Sequence, residues 1–193
     1  IAIGAPAEVA ADGAVFRQPG VAIHYGAADR PGVVCVQWEA ARAHATLEPG
    51  STTAHVTLSP AAVRQLDECT RVFLNAVLIL VLRRAGWHHL HGGIVLDPDG
   101  RGWLIAGDQG AGKSTTTALL ATSGWRVGND DMVFVGWGTE ARVAVAAART
   151  PIALRANVTP RFAARGLLAA QRKKIVYWPE ELGSRWIGRI EAD

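Results

Sequence analysis

The stretch Gly107-Asp108-Gln109-Gly110-Ala111-Gly112-Lys113-Ser114 fits the pattern G-x-x-x-x-G-K-[ST]. Glycines at these offsets let successive backbone N–H groups turn inward around phosphate oxygens with no Cβ in the way. Lys113 is placed to reach the β- and γ-phosphates of a nucleotide, and the Ser114 hydroxyl to ligate Mg²⁺. Thr115 continues the loop into an expected helix, whose positive N-terminal end adds to the anion site. The chemistry this implies is binding of a nucleoside triphosphate together with Mg²⁺.

Two further features have residue types suited to act on a bound phosphate. Asp130-Asp131 closes one apolar stretch and precedes Met132-Val133-Phe134-Val135, so the carboxylates are set between two expected strands. A helix of ten residues from Lys113 rises about 15 Å, and a returning strand over Trp125-Asn129 covers about 16 Å. The two aspartates are therefore expected back beside the loop, where they could hold Mg²⁺ or orient a nucleophile. His91 opens the strand that leads through a turn into the loop. His88 and His89 precede it, but H-H-x-H on an extended segment splits the side chains between two faces, so a metal site is not expected there.

The elements that must position these residues are readable in outline. Leu90-Leu96 and Gly102-Ala106 are β-prone runs joined by Asp97-Pro98-Asp99-Gly100, which predicts a hairpin feeding the loop. Helix is expected over Ser114-Ser123, extended chain over Trp125-Gly128, Met132-Val135, Arg142-Ala147 and Lys174-Trp178, and helix over Pro160-Ala170. Upstream, Val21-His24, Val33-Trp38 and Ala54-Leu58 read as strands of a β-rich lobe. Ser59-Pro60 is a helix start, serine as N-cap and proline at the first helical position, and Gly86 a stop; together they predict one long helix over about 60–85. The class is α/β, divided as a β-rich lobe over 1–58 and a loop-bearing domain over 59–193. No repeat is visible at a 20–50-residue period.

Composition removes several function classes. At 193 residues, 49% hydrophobic and 19% charged, the chain is globular. The net charge of +3 comes from scattered residues without aromatic–basic interleaving, so nucleic acid is not expected as a partner. Arginine outnumbers lysine 17 to 3, a bias that makes Lys113 conspicuous. Cys35 and Cys69 have neither disulfide-framework nor zinc spacing, which fits a reducing, cytoplasmic setting. The apolar run Val72-Leu82 is too short to span a bilayer, so no membrane association is expected. No basic stretch leads into an apolar run at the first residues, and no signal peptide is expected.

Taken together, Leu90-His91-Gly92-Gly93, the loop Gly107-Thr115 and the run Gly124-Trp125-Arg126-Val127-Gly128-Asn129-Asp130-Asp131-Met132-Val133 resemble the C-terminal domain of the HPr serine kinase/phosphorylase family. The likeness covers about 90–135. It implies a P-loop kinase core related to phosphoenolpyruvate carboxykinase, ATP and Mg²⁺ as cofactors, transfer of a phosphoryl group to a protein serine, and a homo-oligomer. By the same carry-over Asp131 takes the proton of the attacking hydroxyl, Asp130 helps hold Mg²⁺ with Ser114, and His91 and Lys113 attend the transferred phosphate. The chain departs from the family pattern at Gln109, where the family has serine, and at Asn129, where it has alanine. It also lacks an E-x-x-G-x-G-like signature after Val135. These departures, and the short segment before His91, point the acceptor away from HPr and toward the smaller relatives that phosphorylate a serine of ribosomally made peptides such as lasso peptide precursors.

Other uses of such a loop fit less well. A switch GTPase needs N-K-x-D and a D-x-x-G after the loop, whereas the D-x-x-G matches, Asp29-Gly32, Asp97-Gly100 and Asp99-Gly102, all precede it. A transport ATPase needs an L-S-G-G-Q-like signature, which is absent. The alternative kept open is a regulatory module that binds nucleotide and phosphorylates nothing.

Overall fold

Alternation of apolar and polar side chains builds the first sheet. Ala43, Ala45 and Leu47 are buried while His44 and Thr46 between them are only partly so, the period-two pattern of a strand with one core face. The computed structural model describes residues 1–4, 14–18, 20–27, 30–155, 167–169 and 174–191, and the chain divides into two compact units, 1–86 and 87–193. In the first unit lie β1 (Ala2–Ile3), β2 (Ala14–Gln18), β3 (Val21–Ala27), β4 (Arg30–Trp38), β5 (Ala43–Leu47) and β6 (Ala54–Leu58). They form one sheet in the order β1-β6-β5-β4-β3-β2, antiparallel except where β1 joins β6.

The long helix expected after Ser59 is present in pieces: α1 (Pro60–Arg64), α2 (Leu66–Glu68), a π-helical stretch Cys69–Leu74, and α3 (Asn75–Arg84). Ser59 caps it as the sequence predicts, its Oγ accepting from Ala62 N at 3.1 Å. The helical path breaks at Gln65 (φ −115°, ψ 44°). Beyond the break, Cys69, Phe73 and Val77 recur every fourth residue and are buried in one core with Val36, Trp38 and Leu47. That burial corrects the domain boundary expected at 58/59. The helical segment covers the face of the first sheet and belongs with it, so the division falls at Gly86/Trp87.

In the second unit the other strands are arranged around β7 (His88–Leu96). β8 (Gly102–Ala106) pairs with residues 92–96 of β7 as the expected hairpin. Its turn is tied by Asp97, whose carboxylate accepts from Arg101 N at 2.8 Å and Trp103 Nε1 at 3.1 Å. The loop 107–112 leads into α4 (Lys113–Thr122), and the chain returns as β9 (Arg126–Asn129) and β10 (Met132–Trp137). Both pair antiparallel with β7, β9 with residues 94–96 and β10 with 88–91. β11 (Val143–Ala147) and β15 (Arg189–Glu191) extend this sheet to the order β15-β11-β10-β7-β8. A smaller sheet holds β12 (Ile152–Arg155), β13 (Leu167–Ala169) and β14 (Lys174–Tyr177), in the order β12-β14-β13. The helix expected over 160–170 falls largely outside the described residues, and Leu167–Ala169 within it are strand, drawn into the ladder with β14.

α4 packs against both sheets. Ala118 and Ala121 share a core with Val95 and Val127 of the larger sheet and with Ile152, Leu154 and Tyr177 of the smaller one. The chain is thus mixed α/β with several sheets. No helix among the described residues is long and apolar enough to cross a membrane.

Gly93 sets how closely α4 and β9 approach β7. A Cβ there would meet Thr117 Oγ1 at 2.9 Å, Asn129 O at 3.0 Å and Asp130 Cα at 3.3 Å. Gly93→Ala is therefore expected to destabilise the protein by about 1–3 kcal/mol through overpacking, read as a fall in the urea midpoint. An unchanged midpoint would contradict the close approach.

Candidate functional site

The site is built where β8 ends and α4 begins. Gly110 and Gly112 adopt φ of +89° and +95°, a region that other L-residues rarely enter, so the loop reaches α4 by a path glycine favours. Gly112 immediately precedes the helix, and its carbonyl accepts the Thr116 N–H at 2.8 Å. The amides of the first helical turn have no partner inside the helix, which leaves donors for an anion. Within the loop Ala111 N donates to Asp108 O at 3.1 Å. Lys113 is buried, and its Nζ donates to Gly107 O at 2.8 Å and Asp108 O at 3.1 Å. The ammonium is thus held across the loop's own carbonyls, a position from which it can exchange to phosphate oxygens. Gln109 is exposed, and Thr115 is half-buried in the first turn of α4.

The return strand brings the acidic pair to the same place. Asp130 is 5% exposed, and the Ser114 side chain hydrogen-bonds its carboxylate. Burial pushes the Asp130 carboxyl above the usual carboxylate range. The Ser114 hydrogen bond works against that shift, the adjacent Asp131 charge adds to it, and the more distant Lys174 ammonium opposes it. Asp131 has a different environment. Its side chain is 69% exposed, and its Oδ1 lies 2.9 Å from His91 Nδ1. His91 stands opposite Met132 in the β7–β10 register, and Gly92 N donates to Asp131 O at 3.1 Å, so the strand pairing sets the His91–Asp131 contact. His89 lies two residues away on the same side of β7 and tilts against Phe134; burial lowers its pKa, Asp131 raises it and His91 lowers it. His88, one residue off, points to the opposite face.

The structure therefore joins Ser114 to Asp130 and His91 to Asp131, while Lys113 Nζ hydrogen-bonds the loop carbonyls of Gly107 and Asp108. Two residues near this site carry no recognisable sequence motif. Lys174 acts on Asp130 electrostatically and pairs across strands with Arg155; its signal was its rarity as one of three lysines, the property that singled out Lys113. Asn129, visible in the sequence only as a departure from the resembled pattern, is 1% exposed and hydrogen-bonded on all sides.

A nucleotide with Mg²⁺ suits this set of groups. A buried carboxylate and a hydroxyl in contact are hard oxygen donors of the kind Mg²⁺ takes, and the unpaired helix amides and Lys113 suit the phosphates. No protein-family model matches the chain, and neither a curated protein nor a solved structure matches it.

Because Asp130 is shifted upward, its ionisation weighs against the ligand-free fold, a penalty absent below its unfolded pKa that grows as pH rises above that value and is complete above its folded pKa. Asp130→Asn should therefore raise Tm at pH 7, by about 2–4 °C for each kcal/mol of relief. The gain should vanish in acid, where Asp130 is already protonated. A Tm lowered at pH 7, or a gain that is the same at every pH, would contradict the assigned environment.

Proposed function

We propose that this chain is an ATP-dependent kinase that transfers the γ-phosphate to a serine hydroxyl of a peptide or small protein, a ribosomal peptide precursor of the lasso type being the acceptor class to test first. The observation that carries the reading is the division of labour between adjacent carboxylates. Asp130 is buried against Ser114 at the mouth of the helix, while Asp131 is exposed, its Oδ1 2.9 Å from His91 Nδ1. One is suited to a cation and the other to a substrate proton. A binding module has use for the first and none for the second.

In this reading the fold is a P-loop kinase core of the phosphoenolpyruvate carboxykinase-like, HPr kinase type. The loop amides of Gly107-Thr115 and the N-terminal end of α4 bind the phosphates, and Lys113 exchanges its carbonyl partners for phosphate oxygens. Ser114 and Asp130 hold Mg²⁺, which neutralises charge on the triphosphate when bound. Asp131 accepts the serine proton as the hydroxyl oxygen bonds to the γ-phosphorus and the bridging P–O bond to ADP breaks. His91 orients Asp131 through the 2.9 Å contact and stands next to the transferred group. The reaction needs positioning and charge neutralisation and no covalent enzyme intermediate.

The test is transfer of label from γ-labelled ATP with Mg²⁺ to serine-containing precursor peptides and to HPr. Label on a peptide is expected. Asp131→Asn should lower the transfer rate by about 10²–10⁴-fold, as loss of a general base does, with ATP affinity kept, and Lys113→Ala should lose ATP affinity itself. Label on HPr alone would overturn the peptide acceptor. Full transfer by Asp131→Asn would overturn its role as base. ATP binding without transfer to any acceptor would favour the non-catalytic module.

A further inference from the structure

Asn129 uses its whole hydrogen-bonding capacity on the turn that carries both carboxylates. Its Oδ1 accepts from Asp131 N at 2.7 Å and Met132 N at 2.9 Å. Its Nδ2 donates to Ala148 O at 2.7 Å and Thr150 Oγ1 at 2.8 Å. Two lone pairs and two N–H groups are all that an amide offers, and the side chain is 1% exposed. The Oδ1 contacts form the Asx-type turn that asparagine favours. The Nδ2 contacts fasten that turn to residues 148–150, the connection from β11 to β12. Gly92 N, on β7, holds the turn from the other side through Asp131 O, so Asp130 and Asp131 project from a peptide segment anchored both to β7 and to the β11–β12 connection.

We propose that Asn129 is a positioning residue: by clamping the Asp130-Asp131 turn to the 148–150 connection, it holds Asp130 against Ser114 for the metal and Asp131 against His91 for the acceptor. The assignment rests on the nucleotide-and-Mg²⁺ reading of the site. Alanine, which the resembled family carries at this place, can make none of the four bonds, so the clamp is a feature of this chain. A buried amide that merely filled space would influence stability, but it would not separate the effect of Mg²⁺ on nucleotide binding from nucleotide binding itself.

The experiment measures ATP affinity with and without Mg²⁺ for the parent protein, Asn129→Ala and Thr150→Val, alongside amide hydrogen exchange at Asp131 and Met132. The metal-free affinity is expected to be unchanged. In Asn129→Ala the gain in affinity on adding Mg²⁺ is expected to shrink by about 10–100-fold, the usual cost of losing a partner that orients a metal ligand. Exchange at the two amides should quicken. Thr150→Val removes one bond of the clamp and should reduce the gain by about threefold, roughly the loss of one neutral hydrogen bond, which keeps the assignment testable if Asn129→Ala does not fold. A full Mg²⁺ gain in Asn129→Ala, or in Thr150→Val where only that variant folds, would overturn the positioning role alone. Absence of any Mg²⁺-dependent gain in the parent protein would overturn the nucleotide reading and this assignment with it.

Discussion

A carboxylate at 5% exposure, next to a second carboxylate, is unfavourable unless something positive is meant to meet it. Asp130 is in that position. The hydroxyl of Ser114 hydrogen-bonds it, while Lys113, one residue earlier, is occupied with loop carbonyls. The surrounding architecture serves to hold this group where it is: α4 supplies the hydroxyl, β9 delivers the acid, and Gly93 lets the two come within contact of β7. A buried carboxylate at a helix N-terminus, beside amides with no partner inside the helix, is an arrangement suited to a cation and an anion together.

The same strand explains why chemistry and binding sit side by side. β7 carries the hairpin to the loop along residues 92–96 and the His91 contact along 88–91, with β9 and β10 returning along it. The break between β9 and β10 is two residues long, and those two are the aspartates. One turns inward to the helix and the other outward to His91, so the placement of the loop, the buried carboxylate and the exposed one follows from a single strand pairing. The apolar contacts of α4 with Val95 and Val127 on one side and with Ile152 and Leu154 on the other fix the helix end against this strand.

Much of this could be read from the residues themselves because it depends on local rules. The glycine spacing of 107–112, the Asp97–Gly100 turn and the Ser59-Pro60 cap each require particular residue types at particular offsets, and each is found where expected. The return of both aspartates to the loop is likewise legible, because rise per residue is nearly constant in helix and strand. What the sequence concealed depends on tertiary contact. The helical segment 60–84 sits with the first sheet because Phe73 and Val77 bury there, which no local signal reports. The break at Gln65 and the π-helical stretch re-phase that apolar face within an otherwise unremarkable helical pattern. Lys174 reaches Asp130 through strand pairing across a long connection, and Asn129 reveals its role only when its four partners are seen.

The central claim is that this site recognises the phosphates of a nucleotide, and competition binding tests it most directly. A fluorescent ATP analogue bound in the presence of Mg²⁺ would be displaced in turn by ATP, ADP, AMP and adenosine. The account predicts that ATP and ADP displace it at least about tenfold more strongly than AMP, a difference of 1.4 kcal/mol or more, with adenosine weakest. Equal displacement by adenosine, or no binding of the analogue at all, would contradict it.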